Sequence, residues 1–215
     1  MKPYRDNRVV NRIINEYWQK SWQLAGREAP EELMTLLLKR YAESHRHYHT
    51  VEHIRHCLEE AENCRSIQDH PFEIDLALWF HDAIYRPFGS ANVLKSARLA
   101  TSKLQQAGLP DDSIELISTL IKATMHPTDP EDPDARIVSD IDLSILGSDP
   151  KTYDRYEINI RREFEPLPEI LYLHRRINFL EQLLELESIY HTEYFIRRYE
   201  EAAQENLKRT INRFS

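Results

Sequence analysis

Apolar residues recur three and four positions apart along most of the chain. Leu33, Leu36, Leu37 and Tyr41 form one such stripe, and Ile114, Ile117, Leu120 and Ile121 form another. That spacing lays side chains along one face of a helix, whereas a strand would alternate with period two. No long stretch alternates in that way. The pattern predicts an all-α chain with helices over 6–24, 30–42, 50–68, 71–85, 90–107, 110–125, 136–147, 150–165 and 168–213, the last broken near Ser188. The glycines Gly26, Gly89, Gly108 and Gly147 each follow a stripe where a helix would stop. Several prolines, among them Pro30, Pro71, Pro110 and Pro150, stand where a first turn would begin. Residues 126–134, HPTDPEDPD, are expected as a loop, because three prolines and four acids forbid a helix.

Charge and composition narrow the possible roles. A formal net charge of −8 disfavours nucleic-acid binding through a basic surface. A small phosphorylated molecule is compatible with it, because a metal ion can supply local positive charge. The longest apolar runs are far too short to span a bilayer, so no membrane partner is expected. The opening residues MKPYRDNRVV are charged and lack the apolar stretch of a signal peptide, which points to a cytoplasmic protein. Cys57 and Cys64 lie seven apart. On one helix that is two turns, or ~10 Å of rise, too far for a disulfide, and they read as free thiols. Nothing in the sequence sets the oligomeric state, a homodimer included.

Three segments carry candidate chemistry. Residues 45–56, HRHYHTVEHIRH, hold five of the ten histidines. His49 and His53 are four apart at the start of a helix and share a face, with Thr50 as an N-cap. The run Leu76-Ala-Leu-Trp-Phe ends in His81-Asp82. A carboxylate beside so apolar a run is costly to bury unless something compensates it, and a metal ion does so well. Asp140 and Asp142 lie in a third apolar segment, where either could instead cap a helix. Two imidazoles and two carboxylates suit an octahedral divalent ion with water in the open positions: Mn, Fe, Mg, Co or Ni, and Zn less well. Such an ion makes water a nucleophile near neutral pH.

His53, His81-Asp82 and Asp142 resemble the H…HD…D signature of the HD superfamily of metal-dependent phosphohydrolases. Residues 48–54 (YHTVEHI), 76–85 (LALWFHDAIY), Ser96-Ala97 and 140–147 (DIDLSILG), with Tyr199-Glu200, Ala203 and Asn206-Leu207, are similar to a bacterial group of predicted HD phosphohydrolases. The resemblance covers most of the chain. It implies an all-α helical bundle over 1–215, with a metal-binding core over about 45–147 and helices over 150–213 as a C-terminal extension. It implies His53, His81, Asp82 and Asp142 as metal ligands, Asp82 also serving the chemistry. On a helix Asp140 would point about 160° from Asp142. Tyr48-His49-Thr50 followed by His53 is similar to the Tyr-His-Asn-x-x-His motif of cyclic-nucleotide phosphodiesterases, which implies His49 as general acid. Thr50 departs from that motif, and Ala83-Ile84-Tyr85-Arg86-Pro87 replaces its two-metal continuation. Both departures argue against cyclic-nucleotide activity and a binuclear site.

His126, at the end of an apolar helix, is a candidate substrate contact, as are Lys122 one turn earlier and Arg161. Against these stand ordinary readings: a histidine at a helix C-terminus, a solvated lysine, and an exposed charge cluster of Arg161, Arg162 and Glu163. The leading expectation is a hydrolase of a small phosphate ester or nucleotide. A lyase, hydratase or Fe-dependent oxygenase would use the same ligands. A non-enzymatic small-molecule-binding helical protein would not need them intact.

Overall fold

The structure, a computed structural model, describes residues 7–89, 91–127 and 129–214. Residues 1–6, on which part of the export argument rests, and Ser90, where the fifth expected helix begins, lie outside the described residues. Ten α-helices and no strand are found among the described residues: α1 (Asn7–Leu24), α2 (Glu31–Tyr41), α3 (Val51–Asn63), α4 (Pro71–Phe80), α5 (Asn92–Gln106), α6 (Asp111–Lys122), α7 (Pro133–Leu143), α8 (Pro150–Glu163), α9 (Glu169–Leu184) and α10 (Glu193–Phe214). The expected all-α class holds. Among the described residues, no helix is long and apolar enough to cross a membrane.

Helix α4 is the axis of the packing. It is apolar all round, as a helix must be when neighbours cover every side. It contacts α1, α3, α5, α6 and α7. Trp79 meets Trp18 of α1 edge to face at 5.1 Å, and Phe72 meets Trp22 at 5.7 Å. The one buried carboxylate of this helix, Asp75, is compensated: Ser21 Oγ donates to it at 2.9 Å and Arg65 Nη1 at 2.9 Å. Just past the end of α5, Gly108 has a φ of 73° that lets the Leu109 N–H turn back to Leu104 O at 3.1 Å.

Several boundaries differ from the periodicity, two of them for a visible reason. The fourth helix stops at Phe80 rather than at 85, because side chains take over its backbone groups. Arg46 Nη1 donates to Asp82 O at 2.8 Å, and Ser96 Oγ accepts from Ile84 N at 3.0 Å. The third and sixth helices also end early, at Asn63 and Lys122. The proline loop ends sooner than expected: Asp132 accepts from Ala135 N at 2.8 Å as an N-cap, Pro133 takes the first helical position, and α7 starts there rather than at 136. The last expected helix breaks after Leu184 and resumes at Glu193.

After α7 the chain tightens into a 3-10 turn, Ser144–Gly147, against which α10 packs. A Cβ at Gly147 would lie 2.6 Å from Tyr199 Cβ, so this contact requires glycine. Asn206 Nδ2 of α10 donates to Leu146 O and Ser148 O, both at 2.9 Å. The C-terminal helix thus fixes the turn that follows Asp142.

Candidate metal centre

Each site residue comes from a helix end. His53 lies in the first turn of α3, which Thr50 caps by accepting from Glu52 N at 3.4 Å. His81 and Asp82 follow α4 directly, and Asp142 is the penultimate residue of α7. Because α4 packs on both α3 and α7, these ends meet. His53 Nε2 lies 3.1 Å from His81 Nε2 and 3.2 Å from Asp142 Oδ1. Asp82 Oδ2 lies 3.2 Å from His81 Nε2 and 3.8 Å from His53 Nε2. Around a ligand sphere of ~2.1 Å, neighbouring donors stand ~3.0 Å apart in an octahedron and ~3.4 Å apart in a tetrahedron. The observed spacings match such edges. The donor chemistry fits too, since His81 Nδ1 donates to Leu78 O at 2.9 Å, which leaves Nε2 to face the carboxylates.

Among the described residues, His53, Cys57, His81 and Asp142 form a group whose donor atoms all lie within 4.8 Å of one another, and this group can hold a metal ion. Cys57 was read from sequence only as a free thiol. It sits one turn after His53 on the same face, with Sγ 3.7 Å from both ring nitrogens. That separation is compatible with a shared ion, although burial pushes the thiol well above the usual range. Asp82 is not a member of this group, and its Oδ2, 3.8 Å from His53 Nε2, offers a further donor at its edge.

The charges respond to this crowding. Burial opposes a charged His81, but Asp82 and Asp142 outweigh it and hold its pKa well above the usual value. His53 is lowered, by burial and by the neighbouring His81. Asp142 is held well below the ordinary carboxylate range despite its burial, by His81 and by hydrogen bonds from His126 and His53. Asp140 points the other way. It accepts from His191 N at 2.7 Å, Thr192 N at 2.8 Å and Thr192 Oγ1 at 2.7 Å, and so closes the start of α10.

His49 precedes α3 rather than sharing its face, yet it still reaches the site. Its Nδ1 donates to Glu163 Oε2 at 2.6 Å, its ring stacks on Tyr85 at 4.1 Å, and its Nε2 lies 3.8 Å from Asp82 Oδ2. Burial lowers the pKa of His49, but Asp82 and Glu163 raise it by more. Glu163 is not the exposed helix charge expected. It is 2% exposed, and Oε1 accepts from the backbone N–H of His47 at 2.7 Å, Tyr48 at 2.7 Å and His49 at 2.9 Å. Tyr85 Oη donates to its other oxygen at 2.8 Å.

The carboxylates open onto a cleft of about 310 Å³ that Tyr48, His49, Asp82, His126 and Asp142 bound at one end. His126 Nε2 lies 3.0 Å from Asp142 Oδ2, so this histidine touches the ligand set as well as the cleft. Lys122 and Arg161 are not brought to it. Lys122 is exposed at the end of α6. Arg161 is turned onto its own helix end, donating to Phe164 O at 2.9 Å, with its guanidinium 4.8 Å over the Tyr172 ring. The arginines on the cleft are Arg175 and Arg176 of α9. Arg176 is tied to Glu157 by two bonds, of 3.1 and 2.5 Å, and to the Tyr156 hydroxyl at 2.9 Å. Arg175 has no ion-pair partner among the described residues. Comparison with protein-family models, curated proteins and solved structures gave no match.

Proposed function

We propose that this chain is a metal-dependent phosphohydrolase acting on a small phosphorylated molecule, the activity that its resemblance to the HD superfamily implies. The observation that supports it most is the convergence of His53, His81, Asp82 and Asp142 at polyhedron-edge spacings, with the two carboxylates facing a cleft. The two histidines are almost fully covered, and the carboxylates retain 12% and 17% side-chain exposure. The site is thus anchored on one side and open on the other, as a catalytic metal site must be. A divalent ion held there, from the set Mn, Fe, Co, Ni or Mg, supplies Lewis acidity toward a phosphoryl group and lowers the pKa of water.

The remaining chemistry belongs to the chain. His49 holds a proton on Nε2 at the edge of the cleft and delivers it to the departing ester oxygen. Glu163 accepts the opposite ring N–H, fixing the ring orientation and stabilising the imidazolium until the proton leaves. Tyr85 stacks under the ring and donates to the same carboxylate, so His49 has little freedom to turn. His126 restrains the outer oxygen of Asp142. The test is to purify the protein, identify its metal, and follow phosphate release from a panel of phosphorylated metabolites with each divalent ion. Metal-dependent release is expected from the wild type and not from Asp82→Ala. Release that survives chelation, or none from any compound, contradicts the proposal.

The buried Cys57 supports a second reading, a closed structural zinc site of two histidines, one cysteine and one aspartate. Cys57→Ser separates the two. A structural site loses its zinc and its stability, whereas the open site keeps both metal and turnover.

A further inference from the structure

The half of the cleft beyond the carboxylates is built almost wholly of hydrocarbon. Leu143, Ile145, Leu146, Ile160, Phe164 and Phe179 line it. The polar groups along these walls are mostly committed elsewhere. Thr124 Oγ1 donates to Ile121 O at 2.9 Å, and Arg176 is held by Glu157 and the Tyr156 hydroxyl. The exceptions are the buried hydroxyls of Tyr48 and Tyr172, which have no partner, and the guanidinium of Arg175. No asparagine, glutamine or serine lines this wall, and backbone groups of α8 and α9 are spent inside their helices.

We infer that the cleft is shaped for a phosphate ester whose leaving group is an aromatic or other apolar alcohol, and not for a nucleotide. This rests on the phosphohydrolase reading for the phosphate end alone. A nucleobase and a ribose carry several donors and acceptors. In this cleft most of them would lose water and gain nothing, which selects against them. An aryl or branched alkyl group loses no such partners and gains about fourfold in affinity per buried methylene. The volume, about 310 Å³, is at the small end of ligand cavities and suits one or two fused rings.

The test uses non-hydrolysable probes with the metal-loaded full chain: methylphosphonate, benzylphosphonate, 1-naphthylmethylphosphonate and the phosphonate analogue of adenosine monophosphate, each titrated by calorimetry. Affinity is expected to rise by at least about thirtyfold from the methyl to the naphthylmethyl compound, with the adenosine analogue within about threefold of methylphosphonate. Phe179→Ala should weaken the naphthylmethyl compound by about tenfold and leave methylphosphonate unchanged. Where that variant fails to fold, the wild-type series decides alone. A flat series, including one in which nothing binds, or an adenosine analogue that binds tightest, overturns the inference. The hydrolase reading fails separately: if the phosphonates bind in the expected order but the matching phosphates are not hydrolysed, the cleft assignment stands and the activity does not.

Discussion

Replacing Glu163 with glutamine removes one charge from a buried network and keeps the shape of the side chain. In the folded chain burial works against this carboxylate, but His49 and three backbone N–H donors outweigh it, and its pKa falls from 4.5 to about 2. At ~1.4 kcal/mol per unit, that shift corresponds to about 3 kcal/mol of stability at neutral pH. The sign follows from the direction. A carboxyl whose folded pKa is depressed contributes fully above its unfolded value of 4.5 and loses that contribution as pH falls toward about 2. His49 behaves oppositely: its raised pKa contributes below 6.5 and the contribution is lost as pH rises through the folded value. The pair is therefore worth most between pH 4.5 and 6.5 and fades on both sides. Urea unfolding of metal-stripped wild type and Glu163→Gln, measured across pH, should show a gap of about 3 kcal/mol near pH 6 that shrinks below ~1 kcal/mol near pH 2.5. A gap that stays constant over that range would refute the assigned pairing. Glu163→Ala should cost about 3–5 kcal/mol at pH 6, because it also strands three backbone donors and the Tyr85 hydroxyl.

Four further outcomes follow from the same geometry. His49→Ala should keep its metal and lose turnover by ~10²–10⁴-fold, read from metal analysis beside kcat; loss of the metal would make it a ligand. Asp82→Ala should lose metal affinity sharply, and the metal-free variant should melt lower than metal-free wild type, since the buried His81 loses one of its two carboxylate partners. Asp140→Ala should lower stability by about 2–4 kcal/mol, seen as a fall in Tm, because it strands the His191 and Thr192 donors that start α10. Cys57→Ser should retain metal and turnover; a zinc-free, destabilised variant would favour the structural reading.

Helix positions were legible because apolar stripes at three and four spacing mark a buried face wherever the element is long. The ligand candidates were legible for two reasons: His81-Asp82 and Asp142 are ionisable residues set in apolar segments, and His53 stands four residues from His49 in a segment with five histidines. The turn of a helix also separated Asp142 from Asp140, and the two do face opposite ways. What the sequence hid comes from distant segments. Glu163 meets His47, Tyr48 and His49 from more than a hundred residues away, and its neighbours Arg161 and Arg162 make it look like surface charge. A signal was available. Tyr153, Tyr156, Ile160 and Glu163 share one helical face, as do Tyr172, Arg176, Leu180 and Leu183. A charge on an otherwise apolar face marks a group buried for a reason. Cys57 was hidden differently: nothing in a lone cysteine separates a packed thiol from a donor until its distance to His53 is known.

In the proposed reading, the ends of α3, α4 and α7 hold a metal ion through His53, His81, Asp82 and Asp142. The most direct measurement is metal content per chain, by mass spectrometry, for wild type, Asp142→Ala and Asp140→Ala purified side by side. Wild type and Asp140→Ala should each carry about one equivalent of a divalent metal, and Asp142→Ala below about a tenth of that. A metal-free wild type, or an Asp142→Ala protein that keeps its full complement, would contradict it.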